Sequence, residues 1–193
     1  MRDLIPLLGL AVNLLGVAMY VRDMFRGSTI PLRLTWFLWT LPPLIATGVE
    51  LHQGVTWAVI PVFASGFGPG LIFTASFFVK GSWKLTTWDY VCGFFSVLAL
   101  VMWVATKNPA LAVGLSITAD GLAGLPTVRK LYRAPESETG WAFVTGFVSS
   151  ASAFAAIRHW TFVETGFPTY LCVLTGLCAF LGLRKSFASK TTR

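Results

Sequence analysis

The sequence predicts an all-α membrane protein of seven transmembrane helices, two parallel three-helix bundles joined by a linker helix. Three observations point there. The chain is apolar along its whole length, its basic residues cluster on one side of the expected spans, and its two halves match at a fixed offset.

Of 193 residues, 55% are hydrophobic and 12% charged, with a mean hydropathy of +0.70; an ordinary soluble protein has about 25% charged residues. A chain of this size has too little interior to hide that much apolar surface from water. A bilayer is its natural solvent. The net charge of +7 does not indicate nucleic acid, because the basic residues stand in short clusters between apolar runs, as in loops facing a cytoplasm. Cys92, Cys172 and Cys178 all lie within apolar runs. Without metal-type spacing they read as small packing residues.

Crossing a bilayer core takes about 20 helical residues, and seven runs qualify. The first, 4–21, has the outline of a signal peptide but no convincing cleavage site, so it reads as a mature helix. The second, 34–51, follows "RGSTIPLR" (26–33), where Ser28 or Thr29 is the expected cap and Pro31 falls in the first turn. The third, 56–79, holds "SGFGPG" (65–70), whose Pro69 and glycines are expected to kink or break it. The fourth, 88–106, is the linker. The fifth, 109–127, ends at Pro126. The sixth, 141–158, follows "RAPESETG" (133–140), which sets Glu136 and Glu138 near a helix N-terminus that favours negative charge. The seventh covers 163–183. The resulting divisions are a first repeat, 1–80, a linker, 81–108, a second repeat, 109–185, and a tail, 186–193.

Twelve basic residues share one side of these spans: Arg22, Arg26, Arg33, Lys80, Lys84, Arg129, Lys130, Arg133, Arg184, Lys185, Lys190 and Arg193. Only Arg2, Lys107 and Arg158 fall on the other. The bias puts the C-terminus in the cytoplasm and the N-terminus outside, in a cell (inner) membrane. Trp57, Trp103 and Trp160 near the outer interface, and Trp83, Trp88 and Trp141 near the inner one, suit anchoring belts.

"YVRDMFRGST" (20–29) aligns without a gap on "TVRKLYRAPE" (127–136). At this offset of 107, Arg22 meets Arg129, Arg26 meets Arg133, Asn13 meets Asp120 and His52 meets His159. An offset spanning four helices superposes the first on the fifth in the same direction, which makes the halves parallel repeats about an axis along the membrane normal. Substrate sites in such folds lie near the midplane between the halves.

With "GLPTVRKLYRAPESETGWAF" (124–143) at the inner end of the fifth run, the chain resembles the PQ-loop superfamily. That group includes SWEET sugar transporters, cystinosin-type amino-acid exporters and KDEL receptors. The chain is also similar to short bacterial seven-helix proteins of this type. The Pro-Gln dipeptide stands here as Pro126-Thr127 and, in the first half, Met19-Tyr20. The asparagine of sugar-carrying members has no counterpart in 56–79 or 163–183, which weakens any transfer of sugar specificity. The resemblance implies alternating access between two three-helix repeats.

Asp120 and Asn13 lie near the middle of their helices. An aspartate at that depth costs about 2.5–3.5 kcal/mol on insertion scales, so it should face the other half or a wet cavity rather than lipid. Three roles stay open: a protonated carboxyl bonding helices together, a contact to the polar or cationic part of a substrate, and a proton-coupling group. Trp36 and Trp39, at i and i+3, share a helical face and suit either belt and packing or an aromatic wall beside a planar solute. His52 and His159 sit at outer helix ends. They suit solvated positions, a pH sensor or, less readily, a haem or metal clasp. Arg129, Lys130 and Arg133 can pair with Glu136 and Glu138 or with anionic lipid. Pro126 and Pro69 are hinge candidates.

No nucleophile elbow, phosphate loop or zinc-ligand spacing occurs, so neither enzyme nor cofactor is expected. The expected partners are a small-molecule solute and the lipid bilayer, with no nucleic acid; a homo-oligomer is compatible. The first functional reading is a transporter of a small polar metabolite, with Asp120 as the coupling group. The alternative is a receptor or assembly subunit that binds without moving its ligand.

Overall fold

The computed structural model describes residues 4–79, 87–106 and 108–188. Arg2, Lys80, Trp83, Lys84, Lys107, Lys190 and Arg193 lie outside the described residues, as do the side chains of Trp88, Cys92, Trp103 and Lys185. Seven α-helices fill the described residues: α1 (Ile5–Phe25), α2 (Arg33–His52), α3 (Val59–Ala75), α4 (Thr87–Ala105), α5 (Pro109–Arg133), α6 (Gly140–Ser152) and α7 (Phe162–Ala188). Short 3-10 turns follow α3 and α6 and link α5 to α6.

Four stretches are long and apolar enough to cross a membrane: Ile5–Phe25, Val59–Phe78, Pro109–Arg133 and Phe162–Arg184. Large apolar side chains stand exposed along their outer faces, among them Leu8, Leu15, Phe78, Val173 and Phe180. An apolar exterior this extensive is stable against hydrocarbon, not water. Trp57, Trp141 and Trp160 are exposed as anchors would be, whereas Trp36 and Trp39 are buried, at 5% and 6% exposure. The belt reading therefore fails for that pair.

Several boundaries depart from expectation for identifiable reasons. Neither Ser28 nor Thr29 caps α2, whose N-cap position is Leu32 without a side-chain bond. Instead Ser28 Oγ donates to the Asp23 carbonyl, and the Thr29 hydroxyl pairs with that of Thr139. Asn108 caps α5, its Oδ1 accepting from the backbone N–H groups of Ala110 and Leu111, with Pro109 preset for the first turn. Pro126 does not end that helix, which continues to Arg133. The sixth helix stops at Ser152 rather than 158. Ser152 Oγ bonds back to the Ser149 carbonyl, a competitor to regular helix, and Glu164 takes the N–H groups of Arg158 and His159.

The "SGFGPG" stretch does not break the third helix: α3 runs through it unbroken. The glycines there make a packing seam: a Cβ on Gly66 would lie 3.0 Å from the Thr40 carbonyl of α2, and one on Gly68 would lie 2.8 Å from Val17 of α1. Small residues let membrane helices approach closely where hydrophobic attraction between them is absent.

α3 packs against both α1 and α2, and α7 against both α5 and α6; α1 also packs on α6, α2 on α5, and α4 on α5. The α1–α6 contact is a close one at Gly16. A Cβ at Gly16 would stand 1.7 Å from Thr145 Oγ1, 2.9 Å from its Cβ and 3.3 Å from the Ala142 Cα. Rotating the hydroxyl removes only the first clash. Gly16→Ala is therefore expected to force the helices apart and cost about 1–3 kcal/mol. Thermal unfolding in detergent measures this, and Thr145→Gly should recover much of the loss.

Candidate functional site

A cavity of about 80 Å³ opens where α1, α2, α3, α5, α6 and α7 converge. Its wall includes Asn13, Trp36, Trp39, Pro69, Asp120 and Phe143. Every residue expected to contact a solute thus reaches one space, and so does one of the two hinge candidates. Pro126 is buried on α5, less than two turns nearer the Arg133 end than Asp120.

Asp120 is 2% exposed. One carboxylate oxygen accepts a 2.8 Å hydrogen bond from the Tyr170 hydroxyl of α7. The other, Oδ1, is buried without a partner, as is Oδ1 of Asn13. Unpaired buried polar atoms are uncommon and ask for a bound group or water. The Trp39 indole donates to the Asp120 carbonyl oxygen at 3.1 Å, tying α2 to α5. Gly124 makes room for that indole: a Cβ there would sit 3.0 Å from Trp39 Cζ2. Tyr170→Phe would strip Asp120 of its remaining side-chain partner. Hydrogen bonds of this kind carry about 1–3 kcal/mol, so a loss of thermal stability in that range is expected, read by unfolding in detergent.

Apolar and polar layers close the cavity along the helix axes. Toward the Arg133 end of α5, Tyr20 of α1 is fully buried and donates a 2.6 Å hydrogen bond to Glu138 Oε2, while it accepts one of 3.2 Å from the Trp36 indole. Lys130 Nζ lies 2.6 Å from Glu138 Oε1 and also donates to the Ile30 and Ser137 carbonyls. The backbone N–H of Ile30 reaches the Ser137 carbonyl at 3.3 Å, and Thr139 donates to Asp23 at 3.1 Å. The α1–α2 and α5–α6 connections are thereby latched together. Burial pushes the Glu138 carboxyl above its ordinary pKa, opposed by the Lys130 charge and the bonds from Lys130 and Tyr20. Toward the opposite end, Ala46, Val62, Val113, Phe167 and Leu171 form a tight apolar cluster.

His52 and His159 are exposed, and no group of three metal-ligating side chains occurs among the described residues. Glu50, not singled out from the sequence, is 1% exposed near the His52 end of α2, with Oε1 unpartnered. Tyr170 and Tyr20 were equally invisible: each earns its place from partners 50 and 118 positions away. The offset of 107 offered no signal, since it sets Tyr20 against Thr127. A search of protein-family models, curated proteins and solved structures returns no match to this chain.

Proposed function

We propose that the chain is an integral membrane transporter of a small polar metabolite, with PQ-loop-like architecture, in which α1–α3 and α5–α7 are parallel repeats and α4 is the linker. The observation that carries this reading is the position of the cavity. It lies where those two sets of helices meet, holds a buried carboxylate with one unpaired oxygen, and is closed on one side by a latch whose halves belong to different sets.

The packing supports the repeats. Exchanging α1, α2 and α3 for α5, α6 and α7 returns the same contacts: α1 on α6 becomes α5 on α2, and the pairs each of α3 and α7 holds are interchanged. In this reading all seven helices cross the inner membrane. The latched end faces the cytoplasm, with the N-terminus outside, as the basic residues require. Rocking one set against the other would separate Tyr20 and Ile30 from Glu138 and Lys130, opening the cavity inward. Parting the Phe167 cluster opens it outward. Pro126 and Pro69 are suitable hinges, since each removes one backbone hydrogen bond from its helix. Asp120 couples the two motions by holding a proton or the solute.

The test is uptake into liposomes. A metabolite that raises the thermal stability of the purified protein is loaded outside, and flux is followed with and without an imposed pH gradient. Gradient-dependent uptake is expected. A ligand that binds tightly with no flux, or a partner recovered at fixed stoichiometry, would replace transport by a receptor or assembly role.

A further inference from the structure

We infer that the cavity takes a small organic cation, an ammonium group with several N–H donors on a short apolar body, which exchanges with a proton on Asp120. The inference rests on the cavity being the transport site proposed above, and its basis is a census of hydrogen-bonding groups in the wall.

The donors are almost all spent. The hydroxyls of Ser65, Ser150 and Thr175 donate to carbonyls of their own helices, at 2.7, 2.9 and 2.5 Å. The indole of Trp36 is committed to Tyr20, and that of Trp39 to the Asp120 carbonyl. Beside the wall, the Tyr170 hydroxyl is committed to Asp120. The unpaired buried oxygens of the wall are acceptors, Asp120 Oδ1 and Asn13 Oδ1, and beside them the Asn13 amide nitrogen brings N–H donors. An occupant must therefore bring donors. A carboxylate or phosphate would face the Asp120 carboxylate with little beyond the Asn13 amide to donate to it, and a sugar would find few partners for its oxygens.

Charge points the same way. Among the described residues, Asp120 is the only carboxylate in the wall, and no lysine, arginine or histidine lines it. Among the described residues the titratable groups around it are Tyr170 and Cys178, both on α7; α1 contributes Asn13, α2 contributes Trp36 and Trp39, and no described residue of α4 lines the cavity. A carboxylate ionised in such a place needs a cation within reach. Trp36, Trp39 and Phe143 add aromatic rings that attract cations, and Leu171 and Leu174 suit a hydrocarbon body.

Binding releases one proton for each cation taken up: the neutral carboxyl loses its proton to the solution on the open side, and the ammonium replaces it beside the carboxylate. Two charges of one sign never share the site, so the chemistry is an exchange.

The cavity has room for on the order of three waters, so ethylammonium is the probe, with ethanol and acetate as its neutral and anionic counterparts. Each is titrated into the purified full chain, and binding is read from tryptophan fluorescence and thermal shift at several pH values. Ethylammonium alone is expected to bind. It should release about one proton per site in weakly buffered solution and weaken at lower pH, by at most about tenfold per unit for one-proton competition. Asp120→Asn should lose both binding and proton release while unfolding at the wild-type temperature, and Asp120→Glu should keep proton release. Equal binding of ethanol, or undiminished binding of ethylammonium in Asp120→Asn, would overturn the inference. Flux of a neutral solute without ethylammonium binding would also overturn it while leaving transport standing. Binding with proton release but no flux would uphold it and overturn transport instead.

Discussion

Asp120→Asn is expected to reduce coupled flux roughly 100-fold or more while leaving the fold intact. A buried charge stripped of its partner loses about 3–5 kcal/mol, and each 1.4 kcal/mol is tenfold in an equilibrium. Asparagine has the shape of aspartate and still offers an oxygen to the Tyr170 hydroxyl, which now reaches Asp120 at 2.8 Å. What disappears is the ability to alternate between charged and neutral. Stability should stay within about 1 kcal/mol of wild type, because the neutral carboxyl and the amide have the same shape and both accept from Tyr170. Flux in liposomes and unfolding in detergent, measured on the same preparation, separate the two effects. Full activity would remove Asp120 from the mechanism.

Lys130→Met should be the most destabilising change at the latch. The methionine keeps most of the apolar stem but removes the ammonium, leaving the 1%-exposed Glu138 side chain with Tyr20 alone. Breaking a buried pair from one side costs about 3–5 kcal/mol. The loss depends on pH with a definite sign. Because burial already raises the Glu138 carboxyl above its usual 4.5, the stability this group contributes is fully present below that value and falls as pH rises through its native pKa. Removing Lys130 takes away the main opposing influence. The variant should therefore lose least in acid, where only the hydrogen bonds of Lys130 are missing, and unfold progressively earlier than wild type as pH rises. Glu138→Gln in the Lys130→Met background should flatten that dependence. Unfolding across a pH series checks both statements.

Which parts of this were legible in the sequence follows from the range of the interactions. Asp120 stood out because a lone carboxylate in an apolar run is costly wherever it lies, and the offset of 107 supplied Asn13 as its counterpart. Both reach the cavity. Trp36 and Trp39 were ambiguous because i, i+3 spacing fixes a shared face without saying what covers it; their indole bonds to Tyr20 and Asp120 decide for the interior. The glycines of α3 misled for a related reason. Glycine lowers helix propensity locally, but here the space it leaves is filled by Val17, Thr40 and Leu44 of neighbouring helices. Pro126 misled in the same sense, since a proline tolerated inside a membrane helix looks from sequence like an end. Glu138 was read as a charge near a helix start, yet its burial between Lys130 and Tyr20 needs both loops at once. Glu50 gave no repeat partner to draw attention to it.

The central claim is that two three-helix sets move against each other around the Asp120 cavity, and a reversible cross-link tests it most directly. Ile30 and Ser137 share a backbone hydrogen bond of 3.3 Å across the latch, which makes them the pair to cross-link. Ile30→Cys and Ser137→Cys, in a chain whose native Cys92, Cys172 and Cys178 are replaced by alanine, would be oxidised and reconstituted. Flux should vanish in the oxidised protein and return on reduction, with the cysteine-free parent unaffected. Undiminished flux through fully cross-linked protein would contradict the account.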